Sequence, residues 1–199
     1  MTSNANAAAV GLTTAGAARA RAARYDRVAI ALHWLIGAAL LAQIVFGFLI
    51  DDMAPRGTPA RAATINLHKS FGIVLALLIV ARLVWRLTHR PPAWPMSMSA
   101  WQRRAAQLSH RALYASMLLM PLSGYVASNF SKHGVKFFGF ALRPWGPDLP
   151  AAYDFFNGMH IITAFLFCAL IAVHVVAALK HLLVDRDEVF SRIWPKLSR

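Results

Sequence analysis

The chain has 199 residues, of which 58% are hydrophobic and only 15% charged, and its mean hydropathy is +0.48. A soluble domain carries about a quarter charged residues, so a water-facing globule is excluded, and the formal net charge of +13 must be read by where it falls. The single cysteine, Cys168, excludes an internal disulfide and any metal cluster built on thiolates.

Residues 1–24, "MTSNANAAAVGLTTAGAARARAAR", are rich in alanine and place their arginines last. A secretory signal has the opposite order, with charge before an apolar core, so this stretch reads as a flexible cytoplasmic extension. Four apolar blocks follow, at 28–50, 65–85, 108–126 and 159–183. Each is about twenty residues long, the length that crosses a hydrocarbon core of about 30 Å. The expected fold is all-α, an integral membrane four-helix bundle, occupying 25–187 and followed by a cytoplasmic tail at 188–199.

The first connection, "DDMAPRGTPARAAT", is short and turn-rich. The second, "THRPPAWPMSMSAWQRR", has three prolines and two tryptophans, and tryptophan suits the headgroup level. The third, near 128–157, is the longest, and its aromatic content predicts a loop folded back on the outer membrane surface. Pro121 predicts a kink in the third span, which a bundle tolerates. Lys and Arg divide fifteen to six between the two sides, the fifteen flanking both termini and the second connection. The positive-inside rule therefore puts both termini of a multi-pass membrane protein in the cytoplasm. Charge reports topology here, and no nucleic-acid partner is implied.

Eight histidines remain to be explained. His89 and His133 fall in loops and His181 near the end of the last span, where solvated or interfacial roles suffice. His33 enters the first span early, and His174 lies about two turns from the end of the fourth. His68 and His160 each lie in the first turn of the second and fourth spans, counted from the other face. Antiparallel helices thus give two pairs at two depths. His160 and His174 are fourteen residues apart, nearly four whole turns, so they share one side of a helix over a rise of about 21 Å.

Two facing imidazoles without thiolate or carboxylate form the ligand set of a six-coordinate haem iron. Zinc wants four protein ligands, or three and a water, and no Asp or Glu occurs inside any span. Gly37 and Gly72 follow His33 and His68 by four, on the same helix faces, where a flat macrocycle needs small residues. Glycine also serves plain helix packing in membranes. His110, at the inner edge of the third span, could replace His33 or His174, donate to a propionate, or line a quinone pocket.

The segments "YDRVAIALHWLIG", "INLHKSFGIVLALLIVARLVWR", "SHRALYASMLLMPLSGYVAS", "VKFFGF" and "HIITAFLFCALIAVHVVAALKH" resemble the bacterial cytochrome b561 family, in order, across 25–187. The resemblance implies a bundle with two b-type haems, His33 and His174 ligating an inner one and His68 and His160 an outer one. Some family members resemble superoxide oxidases, which pass electrons from periplasmic superoxide through the haems to ubiquinone; others are membrane electron carriers. Haem propionates need cationic partners, for which Arg27, Arg82 and Arg86 are the inner candidates and Lys69 the outer one. Outer cations that could steer superoxide are Lys69, Lys132, Lys136, Arg56, Arg61 and Arg143, against Asp51, Asp52, Asp148 and Asp154, a net charge of only +2. Two alternatives stand beside an oxidoreductase of this kind. One is a cytochrome b subunit linking a dehydrogenase or hydrogenase to quinone through a partner surface. The other is a histidine-lined metal transporter, which would ordinarily carry intramembrane carboxylates or broken helices.

Overall fold

The computed structural model describes residues 24–195. Four long helices carry the chain: α1 (Arg27–Met53), α2 (Pro59–Thr88), α3 (Ala100–Asn129) and α4 (Pro150–Lys180). Their starts follow local chemistry. Asp26 caps α1 by accepting the Ala29 amide at 2.8 Å. Thr58 caps α2 with Pro59 in its first turn, where the missing N–H is not needed. Ser99 and Gln102 form a reciprocal capping box on α3. Burial pulls the Asp26 carboxyl upward, but hydrogen bonds from the Ala29 amide and the Trp85 indole outweigh it and hold it below its ordinary range.

The first three helices overrun the predicted blocks at both ends and α4 at its start, because capping and turn residues rather than apolarity decide where they begin and stop. Three of them, α1, α2 and α4, are long and apolar enough to cross a membrane. The third helix is less apolar than the expectation of four equal spans. The reason lies inside the bundle: Ser116, Ser123, Ser128 and Asn129 of α3 are all buried. Three of them bond back to their own helix, Ser123 to Met120, Ser128 to Gly124 and Asn129 to Tyr125. Pro121 lies within α3, which continues through it.

Chain order gives the bundle two ends. The terminal face holds residue 24, residue 195 and the α2–α3 connection, and the hairpin face holds the other two connections. The core lies between them, built from Ile36, Leu40 and Ile44 of α1, Leu75 and Ile79 of α2, Met117 and Met120 of α3, and Phe167 of α4. The exposed surface of the helices is apolar, with Leu35, Leu77, Leu122, Ile162 and Val176 all open, as lipid contact requires. Backbone packing is uneven. α3 runs along α4 and α1 along α2, with α2 meeting α3, whereas α4 makes no extensive contact with α1 or α2.

The long connection contains structure that hydropathy does not reveal. β1 (Val135–Phe137) and β2 (Phe140–Leu142) form an antiparallel hairpin, with Phe137 opposite Phe140. Its two turn residues, Phe138 and Gly139, have φ of 45° and 97°, the left-handed geometry that matches the strand twist. The hairpin is pinned to α2. Ser70, fully buried, accepts the Phe138 amide at 3.0 Å and donates to Asn66 O at 2.7 Å, while Asn66 Oδ1 accepts the Lys136 amide.

At the terminal face α4 runs into a π turn, His181–Asp185, and Arg186 takes a left-handed conformation with φ of 50°. Residues 190–195 then fold back onto the bundle. The Trp34 indole donates to Ile193 O at 2.9 Å, Arg192 to Ala93 O at 2.6 Å, and the Trp34 and Trp194 rings meet edge to face. The stretch read as an N-terminal extension lies, apart from residue 24, outside the described residues, as do 196–199 of the tail.

Replacing Ser70 with alanine removes the acceptor of the Phe138 amide, a hydrogen bond worth about 0.5–1.5 kcal/mol. Amide exchange across 135–142 should accelerate while helix content stays constant. Unchanged exchange in the hairpin would show that the Ser70 bond does not hold it.

Candidate functional site

The five intramembrane histidines gather in two clusters. Near the terminal face, His33 of α1 and His174 of α4 have ring centres 6.3 Å apart, inclined at 68°. Near the hairpin face, His68 of α2 and His160 of α4 have ring centres 6.4 Å apart, at 90°. Both pairs cross the gaps where α4 stands away from α1 and α2. Phe167, midway between His160 and His174 and 1% exposed, separates the clusters.

Each ring has a different surrounding. His160 Nδ1 lies 2.7 Å from the Met120 carbonyl. A carbonyl only accepts, so the proton sits on Nδ1 and Nε2 is free to bind a metal. His68 Nδ1 is buried without a hydrogen-bond partner. Gln43, itself buried, donates to His68 O at 2.6 Å and fixes that turn of α2 against α1. His33 Nδ1 lies 3.1 Å from Arg82 Nη2, and Arg82 Nη1 is buried with no partner. His110 of α3 joins the terminal cluster, its ring centre 5.5 Å from that of His174.

Two further glycines lie directly against the histidine rings. A Cβ on Gly37 would meet nothing within 4 Å, and one on Gly72 would meet only Gln43 Nε2 at 3.5 Å. At Gly47 it would stand 3.0 Å from the His68 ring, and at Gly124 2.9 Å from His160 Nδ1. Sequence reading missed both, along with Gln43. Matching depth across α1 and α2, as was done for the histidines, would have placed Gly47 near His68. A glutamine in an apolar span was itself a signal.

The cationic candidates separate in the same way. Arg82 is brought into the terminal cluster. Arg86 donates to the Tyr25 hydroxyl at 3.3 Å and lies over its ring. Arg27 is exposed and makes no hydrogen bond to the cluster among the described residues. Lys69, beside His68, donates to Gly134 O at 2.9 Å. On the hairpin face Asp51 binds both Arg56 and Arg61, and their hydrogen bonds hold its carboxyl below the usual range. Lys132, Lys136 and Arg143 are exposed there.

Of the three histidines set aside, His133 is exposed and His89 stacks on Trp85 at 3.7 Å. His181, expected to be solvated or interfacial, takes a structural place at the end of α4. It is largely buried, bonds Asp187 at 2.7 Å, and lies 3.3 Å from Asp185, which Lys180 also binds. These three donor groups lie within 4.8 Å of one another, with the Lys180 ammonium already supplying a cation. The network closes the end of α4.

Chemically, a pair of facing imidazoles with no carboxylate between them suits an axially bound iron. An imidazole nitrogen bonds a transition metal at about 2.0 Å and lies a little over about 1 Å from its ring centre, which puts two such rings about 6.3 Å apart across one metal. Both pairs have that spacing, and the His110–His174 separation is shorter. The gaps beside α4, the glycines against the rings and the orphaned donor on Arg82 fit a flat, anionic macrocycle.

The family model described as prokaryotic cytochrome b561 matches residues 24–196. Among curated proteins, cytochrome b561 homolog 2 of Escherichia coli is 31% identical over 176 residues, covering 88% of this chain and 93% of its own length. Cytochrome b561 homolog 1 of the same organism is 27% identical, over 87% and 98%. A protein of Yersinia pestis named probable superoxide oxidase CybB is 26% identical, over 87% and 97%. With the model spanning nearly the whole described chain and the four-helix architecture in place, the protein belongs to the prokaryotic cytochrome b561 family of membrane b-type cytochromes.

Proposed function

We propose that the protein is a di-haem oxidoreductase that takes electrons from superoxide at the periplasmic face and delivers them to ubiquinone at the cytoplasmic side of the inner membrane. The observation that carries the reading is the pair of ring separations, 6.3 and 6.4 Å, each the spacing of two imidazoles across one iron. In it His33 and His174 ligate the inner haem, and His68 and His160 the outer. Membership of the cytochrome b561 family supports electron transfer over the transporter alternative. The superoxide reading is supported by the name of the Yersinia pestis relative.

Haem b supplies a one-electron couple at each site. The protein's own groups do the rest. The Met120 carbonyl holds His160 in the tautomer that frees Nε2. Arg82 offers its unpartnered Nη1 to a propionate at the inner site. Lys69 is the corresponding outer candidate, and its bond to Gly134 O ties the outer loop to α2. Arg27 and Arg86 are weaker inner candidates, since one is exposed and the other engages Tyr25. His110 lies beside His174 as a third ring, suited to donate to a propionate or to bound quinone. Two superoxide anions each lose one electron and leave as dioxygen. One quinone gains both electrons and two protons from the cytoplasmic side to become quinol. With Arg56 and Arg61 paired to Asp51, anion attraction falls to Lys132, Lys136 and Arg143.

Pyridine haemochrome analysis of the purified protein should give two haems b per chain. A colourless folded protein would end the proposal.

His68→Ala should lose the outer haem while the inner low-spin signal survives. Superoxide-driven quinone reduction should fall to background, although the remaining haem still accepts electrons from a chemical reductant. Full superoxide activity without the outer haem would reverse the assigned direction. A stable complex with a dehydrogenase, together with no superoxide activity in the wild type, would favour the subunit reading.

A reporter fused after Arg199 should be active in the cytoplasm. The fifteen-to-six charge split motivates this, and a periplasmic signal would overturn the orientation.

A further inference from the structure

The two histidine pairs differ in what touches the nitrogens facing away from the metal position. At the outer pair, His160 gives its Nδ1 proton to the Met120 carbonyl at 2.7 Å. That carbonyl also accepts from Ser123 Oγ at 2.9 Å, so it is fixed in place. Gly124 permits the approach, since a Cβ there would stand 2.9 Å from the same nitrogen. Donating to a carbonyl makes the opposite nitrogen a more basic ligand.

The inner pair has the reverse environment. Arg82 Nη2 lies 3.1 Å from His33 Nδ1, and a guanidinium can only donate. With iron on Nε2 the His33 ring carries its proton on Nδ1, so Arg82 turns from the ring to a propionate, and its positive charge stays inside this cluster. Arg86, one turn further along α2, adds a second cation on the same side of the bundle. The one cation beside the outer pair, Lys69, is directed to the Gly134 carbonyl in the loop.

We propose that Arg82 and the Met120 carbonyl tune the two sites in opposite directions and make the inner pair the electron sink. The inference rests on the haem assignment above. Iron carries one more positive charge when oxidised, so a buried cation favours its reduced form. A more basic axial ligand favours the oxidised form. The electron lost at the outer site is therefore gained at the inner one. One centre is oxidised as the other is reduced, with no further reactant. Arg82 and Gly124 act as positioning residues for this difference.

The test is an equilibrium redox titration of the purified full-length protein, followed optically and by electron paramagnetic resonance. The wild type should titrate in two one-electron steps, and His68→Ala should lose the lower one. Arg82→Gln should move the upper step to lower potential and leave the other in place, while Arg82→Lys should recover most of the shift. Coincident steps, loss of the upper step in His68→Ala, or an Arg82→Gln protein with both steps unmoved would each overturn the inference. Should Arg82→Gln fail to hold its inner haem, the wild-type titration assigned by His68→Ala still decides. A wild type without haem would instead overturn the proposed function, so the two failures are distinct.

Discussion

Imidazoles inside an apolar bundle have to satisfy their nitrogens without water, and the architecture follows from how α4 presents two of them. His160 and His174 occupy one side of this helix, and each faces a histidine from a different neighbour, His68 or His33. α4 therefore cannot close down on α1 and α2 as it does on α3. The cost of keeping polar rings out of water is met unevenly, by a carbonyl at His160, by a guanidinium at His33, and by no protein group at His68 Nδ1. α3 supplies that carbonyl and brings His110 into the terminal cluster. Its buried Ser123 and Ser128 bond back to their own turns, so their polarity is internal to the bundle.

Four helices and two histidine depths are legible in the residues because both depend only on distance along the chain. Block length gives the helices, and antiparallel order gives His33 with His174 and His68 with His160. What was not legible depends on rotation about each helix axis. Gly37 and Gly72 share faces with histidines of their own helices, yet the close approaches come from Gly47 and Gly124 on other helices. The hairpin at 135–142 was hidden for another reason. Its turn uses Phe138 at positive φ, a residue that gives no turn signal, and the turn is held by Ser70 about 68 positions away in sequence.

The loops of the hairpin face show why formal charge is a poor guide to surface potential. Six cations face four carboxylates there by sequence alone, but Arg56 and Arg61 converge on Asp51 and Lys69 is bound to a backbone carbonyl. What remains for solvent is a smaller set on the long connection, at Lys132, Lys136 and Arg143. Lys132 is itself close to a carboxylate, since its amide donates to Asp148. The field of the hairpin face is thus set by pairing as much as by composition.

Phe167, with Ile36, Leu40, Ile79 and Met117 around it, makes the middle of the bundle a closed hydrocarbon layer. Among the described residues, that layer holds no carboxylate that could carry a proton after an electron. Charge that crosses it travels alone, and so works directly against or with the electric field of the membrane. For a full crossing that field is worth about 2.3 kcal/mol per charge for each 100 mV. In a cell whose interior is negative, an electron moving inward climbs this gradient. Under the proposed direction of transfer, the reaction at one face is coupled to the energetic state of the whole membrane through a phenylalanine-centred plug.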